Sequence, residues 1–306
     1  MIRARAAVAA AALACVAPPL YADYEFEVDN GWELGGRYWW STGKTQWSHN
    51  AQSVAPSFGN PTSVLVYDEL RANSLEFYGA KRFRPGWFIA GNLGIGRIYS
   101  GKLTDTDYDA GQTKSSESTS TVDQGTLGYL TLDGGYDFVR GYRSSLGIIA
   151  GLNYWNESVD VKGATFSVPA GTPPISSSTK VITNEVNWLS FRLGLAGRLQ
   201  LGDRFNLSGT IAAVPYSRLH NDDSHYLRSD LGPTPNIKMT ANGYGVQMEG
   251  EARYTVGKMI DVGLGLRYWK LKATSGDISF GGSPNLPLTD FQSTRYGATF
   301  SVIKRF

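Results

Sequence analysis

The 306-residue sequence has one cysteine, Cys15, three histidines and only 18% charged residues, against roughly 25% in an average soluble domain. Its longest apolar run, Ala6 to Ala17, covers 12 residues. A helical membrane bundle needs several runs of about 20 apolar residues, so that class is excluded. The low and balanced charge also excludes a disordered chain and a strongly basic nucleic-acid protein. What the chain does have is glycine, 36 residues of it, and aromatics at 12%. That composition points to a β protein.

The formal charge of +2 is unevenly placed. Both surplus positives, Arg3 and Arg5, lie in the first 22 residues, which hold no acid, so the remainder is formally neutral. A basic start, the Ala6 to Ala17 run and Leu20-Tyr21-Ala22 have the layout of a secretory signal peptide, 1–22, cleaved after Ala22. The run is too short for a transmembrane anchor, and Ala12-Leu13-Ala14 matches the lipoprotein pattern before Cys15 poorly. Cleavage after Ala22 removes the cysteine. A mature chain of 23–306 then has no disulfide, thiol nucleophile or thiolate metal ligand, which suits export into a Gram-negative envelope.

The mature chain alternates with period two. Leu189, Phe191, Leu193, Leu195, Leu199 and Leu201 share one face, and Ser190, Arg192, Arg198 and Gln200 the other. Similar splits occur in 146–154, 205–213, 244–254 and 262–268. This is a strand signal with one apolar face. A soluble sandwich also alternates, but three features favour a membrane barrel. Tyr154, Tyr254, Tyr268 and Tyr296 stand at the ends of outward faces, where interfacial girdles belong. The opposite face holds Glu249, Glu251, Arg253, Asp261 and Arg267, costly in a sandwich core but acceptable in a polar lumen. The alternating run from Tyr296 to the final Phe306 resembles the C-terminal signal of bacterial outer-membrane barrels.

Strands are expected at 31–43, 67–83, 87–101, 126–139, 143–157, 185–201, 204–219, 237–255, 259–273 and 292–306. The implied fold is an all-β, ten-stranded antiparallel transmembrane β-barrel with five long extracellular loops, 44–66, 102–125, 158–184, 220–236 and 274–291. Tight turns at 84–86, 141–142, 202–203 and 257–258 would face the periplasm. Ten strands about 4.8 Å apart and tilted near 40° give a diameter of roughly 20 Å, so a side-chain-filled, salt-bridged lumen is expected rather than a wide pore.

Two outer loops carry the residues best suited to chemistry. Asp105 and Asp107 are two apart and point to the same side of an extended chain. Two close carboxylates cannot both ionise easily, so one proton is shared. Asp223 and His225 have the same spacing, and the carboxylate can orient the imidazole as it does for a general base. The loops follow strands three and seven, about 144° apart, which sets the pairs across the mouth from each other. The first loop lacks the spaced oxygen ligands of a calcium loop. His49, His220 and His225 come from two loops, so no metal is expected. Glycines 91, 94 and 96 precede no helix and are not a phosphate cradle.

Ten strands, Asp-x-Asp in the second loop, Asp-x-His-Tyr in the fourth and Thr42-Gly43-Lys44-Thr45 after the first strand together resemble the omptins, outer-membrane endopeptidases. The resemblance spans almost the whole mature chain. It implies that Asp223–His225 and Asp105–Asp107 activate a water against a peptide carbonyl, with no cofactor beyond a dependence on lipopolysaccharide. The implied partners are outer-membrane lipid and a peptide or protein substrate, with no nucleic acid and a monomeric barrel. Omptins that cleave between basic residues hold acids at positions that here are Trp47 and Asn221. A pocket without carboxylates binds an arginine poorly. Either Asp222 substitutes, or specificity shifts to apolar side chains, or cleavage is lost. A non-catalytic barrel for adhesion or envelope integrity, and a small channel, are the alternatives.

Overall fold

The computed structural model describes residues 31–257 and 259–306. The expected signal peptide, Cys15 and Lys258 of the fourth turn lie outside the described residues. Ten strands form one closed antiparallel barrel: β1 (Trp32–His49), β2 (Ser63–Arg82), β3 (Trp87–Asp109), β4 (Thr113–Gly141), β5 (Ser144–Val168), β6 (Ile175–Leu201), β7 (Phe205–His225), β8 (Ile237–Val256), β9 (Ile260–Phe280) and β10 (Leu286–Arg305). Each strand pairs with its sequence neighbours, and β1 closes the ring on β10 from Glu33↔Arg305 to His49↔Leu288. No open edge remains. The periplasmic turns are short, and Gly202 and Gly257 supply the positive φ, +68° and +71°, that their turns require.

The expected long outer loops are corrected to 50–62, 110–112, 169–174, 226–236 and 281–285, because the strands run on past the membrane. The stretch Thr113 to Val122 is strand, although its Lys, Ser, Thr and Glu residues read as loop. An apolar face marks a strand only where that face meets lipid or a core. Above the bilayer water bathes the outer face, so the alternation in polarity fades while the pleat persists.

The membrane zone can be read from outward aromatics. On β3 they are Trp87 and Tyr99, on β7 Phe205 and Tyr216, and on β8 Tyr254 and Tyr244, all exposed. Each pair brackets roughly the 9–11 residues that cross a bilayer. Between them Leu93, Ile95, Leu193, Leu195, Ile211, Leu264 and Leu266 face outward.

Inside, the lumen is filled in layers. In the lower half Arg37 meets Glu249 at 2.7 Å and Glu76 at 3.2 Å, and Arg267 meets Glu76 at 2.7 Å and Glu249 at 2.8 Å. Arg192 pairs with Asp133 at 3.2 Å. The Arg267 guanidinium also lies 4.8 Å from the Trp39 ring, 5.6 Å from Tyr129 and 5.4 Å from Trp269. These rings pack edge-to-face at 5.1–5.6 Å, joined by Trp155. Above them Trp47, Leu65, Leu103, Trp188, Leu219, Met239, Ile278 and Phe291 form a buried apolar core. The salt-bridged lumen anticipated from the sequence is present in the lower half and reaches the aromatic layer, where buried Arg295 pairs with Glu157. The upper half is built like the interior of a soluble protein.

Candidate active site at the extracellular mouth

Two strand irregularities aim the residues of interest. On lower β3 the even positions point inward, among them Phe88 and Ile98, while Leu93 and Ile95 face lipid. Between Asp68 and Ala72 of β2 the β2–β3 register shifts twice, and above this point the odd positions of β3 turn inward: Leu103 is 1% exposed. Asp105 and Asp107 follow Leu103 on that face. On β7, Ala212 and Val214 point inward until the register with β8 shifts between Val214 and Ser217. Beyond it Ser217, Leu219, Asn221, Asp223 and His225 point inward. A one-residue slip moves every later side chain to the other face. Without these bulges all four residues would face away from the lumen. The strict period two of the sequence does not reveal them.

The structure thus places Asp105, Asp107, Asp223 and His225 on strands rather than on loops, on one inner surface above the apolar core. His225 Nε2 lies 3.4 Å from Asp223 Oδ1. The His225 backbone is clasped by buried Asn236, whose Oδ1 accepts from the His225 N–H at 2.9 Å and whose Nδ2 donates to its carbonyl at 3.0 Å. Ser63 Oγ donates to Asp107 Oδ1. Tyr67 Oη donates to Asp223 Oδ2 at 3.0 Å. Sequence reading missed Tyr67, Ser63 and Asn236. The alternation Leu65, Tyr67 at the top of β2 is the signal that could have suggested the first. Asp223 Oδ1, Asp105 Oδ1 and His225 Nε2 are buried and have no hydrogen-bond partner in the protein, although Nε2 and Asp223 Oδ1 face each other as an ion pair.

Tyr67 on β2 and Asp223 on β7 are diametrically opposed in the ring of ten strands. Their hydrogen bond crosses the lumen, so at this level the barrel is narrower along that axis than the roughly 20 Å of a circular ten-stranded ring.

The electrostatics match the geometry. Burial, together with the adjacent Asp107 carboxylate, pushes Asp105 up to about 7, while His225 pulls the other way and Asp223 adds to the rise. Burial pulls His225 down, but Asp223 beside it and Asp105 beyond hold it above the ordinary imidazole value. Burial and the Asp223 carboxylate keep Tyr67 well above the usual phenol range, so it stays a donor. Because Asp105 titrates higher in the native than in the unfolded chain, its contribution to stability is complete below about pH 4 and is lost as pH rises through 7. Asp107→Asn removes the like charge and should move the Asp105 titration to lower pH. Following the protonated-carboxyl infrared band against pH would detect this, and an unmoved band would show that Asp107 exerts no such effect.

The remaining candidates are placed differently. Asp222 faces outward on β7, with the exposed His220 Nε2 at 3.3 Å from its Oδ2. As a lumen-facing replacement for a pocket acid it is corrected by the period of the strand. Trp47 and Asn221 do point inward, but they are 1% and 0% exposed, sealed in the core below the mouth. Asn221 Nδ2 contacts Met239 Sδ at 3.8 Å. Their buried Trp47 Nε1 and Asn221 Oδ1 atoms lack partners in the protein. His49 sits against Phe280 at 4.9 Å, and burial lowers it to about 4. Among the described residues no three His, Cys, Asp or Glu side chains are grouped to hold a metal ion.

A closed ring of ten antiparallel strands with two aromatic girdles and long outer extensions defines an outer-membrane β-barrel. The family model of the Protochlamydia outer membrane protein, Pom, matches residues 38–303, and the chain belongs to that family. No curated protein matches the sequence. Among solved structures, the outer membrane protease OmpT of Escherichia coli superposes with a TM-score of 0.74 at 14% identity, over 93% of this chain and 99% of that one. The outer membrane protein OprG of Pseudomonas aeruginosa matches at 14% identity over 92% of this chain and 99% of that one, with a TM-score of 0.38. The omptin resemblance therefore stands as a likeness of fold, and the family is Pom. The protein resides in the outer membrane.

Proposed function

We propose that this barrel is an outer-membrane endopeptidase that hydrolyses peptides at its extracellular mouth. The observation supporting this reading is an Asp223–His225 pair on β7, braced by Tyr67, whose charges are felt by Asp105 of an Asp105–Asp107 pair on β3, braced by Ser63. In the proposed reaction His225 takes the proton of a water that attacks the scissile carbonyl. Asp223 holds the imidazole and stabilises its charged form. Asp105, its carboxyl pushed up to about 7 by burial and the adjacent Asp107, acts with Asp107 to position the water and balance the charge that develops. Because His225 acts as base only when neutral, and its pKa is raised, the acid limb of the rate profile should lie above pH 6.5.

Tyr67→Phe leaves Asp223 Oδ2 unpaired at a position with no exposure. The expected cost is about 1–3 kcal/mol in stability, with kcat reduced, KM unchanged and the acid limb moved further up, since Asp223 then presents more charge to His225. A pH profile of the variant measures this. A parallel loss in KM would instead place Tyr67 against substrate.

The test of the reading is direct. The barrel, folded with lipopolysaccharide, is screened against a quenched peptide library beside Asp223→Asn and His225→Ala. Cleavage by the unmodified protein, lost in both variants, is the expected result. No cleavage sinks the reading. The rival, a non-catalytic barrel with an adhesive or structural role, draws on the sealed state of Trp47 and Asn221, which leaves no side-chain pocket where omptins have one. The filled upper lumen disfavours a channel.

A further inference from the structure

The opposite end of the barrel carries an arrangement that the peptidase reading does not use. A cavity of about 170 Å³ at the periplasmic floor is lined by Arg82, Arg140, Arg143, Arg198, Arg253 and Arg305, against the carboxylates of Glu33, Asp137 and Asp261. Glu251, just outside this lining, also pairs with Arg253 at 2.6 Å, so the six guanidiniums meet four carboxylates and two positive charges remain in surplus. A surplus of one remains if Phe306, which also lines it, bears a terminal carboxylate.

The arginines differ in how far their charge is matched. Arg198 and Arg253 share Glu33 at 2.7 and 2.9 Å, Arg82 pairs with Asp137, and Arg305 with Asp261 at 3.3 Å. Arg140 donates to the neutral carbonyl of Pro85. Arg143 has the Tyr142 ring at 5.6 Å and, as the acid nearest to it, Asp203, 3.8 Å away and itself almost fully exposed, an ion pair of negligible worth in water. The Nε–H groups of Arg82 and Arg305 are buried without an acceptor in the protein. Unspent donors of the part-buried Arg82 and Arg305 and the uncompensated charge of the exposed Arg140 and Arg143 therefore line one cavity. Like charges gathered around one concave opening raise the local positive potential and attract an anion. Guanidinium forks match the geometry of a multivalent oxyanion, two oxygens at a time.

We propose that this periplasmic vestibule is a binding site for a small multivalent oxyanion of the phosphate class, entered from the periplasm. Arg140 and Arg143 stand at the β4–β5 turn, and Arg82 and Arg305 contribute the unpartnered donors of the lining. The site is separated from the extracellular mouth by the ion-pair and aromatic layers, so it is independent of the proposed peptidase.

Inorganic pyrophosphate is the probe. Titrated calorimetrically into the folded, detergent-solubilised barrel at constant ionic strength, it should bind saturably at one per chain, where sodium chloride gives no such isotherm. Arg140 and Arg143 are exposed, so the double variant Arg140→Ala, Arg143→Ala retains the fold, and it should bind at least tenfold more weakly. Lys102→Ala, exposed at the far end of the barrel, should bind as the unmodified protein does. Absence of saturable binding, or equal affinity in the double variant, overturns the proposal.

Discussion

Replacing His225 with alanine should lower peptide cleavage by about 10²–10⁴-fold, the usual contribution of a positioned general base. The loss should fall on kcat, because in the proposed reaction His225 acts on water and makes no ground-state contact with the peptide. Asp223→Asn should cause a comparable loss, since an amide 3.4 Å from Nε2 neither fixes the same tautomer nor stabilises an imidazolium. Asp222→Asn is the informative control. Its side chain is one residue away in sequence but on the outer face beside His220, so steady-state rates should be unchanged. If Asp222→Asn proved as damaging as Asp223→Asn, the face assignment of β7 above its bulge would be wrong.

The second large effect concerns the fold. Arg267 is fully buried, bonded to Glu76 and Glu249 and enclosed by Trp39, Tyr129 and Trp269. Arg267→Ala should destabilise the barrel by about 3–5 kcal/mol, because it leaves Glu76 and Glu249 in the lumen with Arg37, itself shared with Glu251, as their remaining ion-pair partner. Urea unfolding in lipid vesicles measures this. Combining it with Glu76→Gln should return part of the loss, as expected for two members of one network. A change below about 1 kcal/mol would mean that water already screens the cluster.

Much of the barrel was legible because lipid enforces a simple rule. Leu193 and Leu195 face out and Arg192 faces in, and a period of two follows wherever one side is hydrocarbon. The strand count, the ring closure and the short turns all come from that rule. Legibility ends where the lipid ends. Thr113 to Val122 reads as loop because both polar and apolar positions there meet water or protein unpredictably. The site was legible in kind, through the i, i+2 spacing of Asp105 with Asp107 and of Asp223 with His225, but not in orientation. The bulges near Asp68 to Ala72 and between Val214 and Ser217 are features of cross-strand register, and no single strand's sequence records them. Tyr67 escaped notice for a related reason: its partner lies 156 residues away on the facing wall.

That partnership has a mechanical meaning. A bond from β2 to β7 is a strut across the tube, so the alignment of Asp223 toward His225 depends on how far apart two opposite walls stand. Whatever squeezes or spreads the cylinder, including the lateral pressure of the surrounding lipid, acts on the same strut. The shape of the ring as a whole, rather than any one hairpin, tunes this pair.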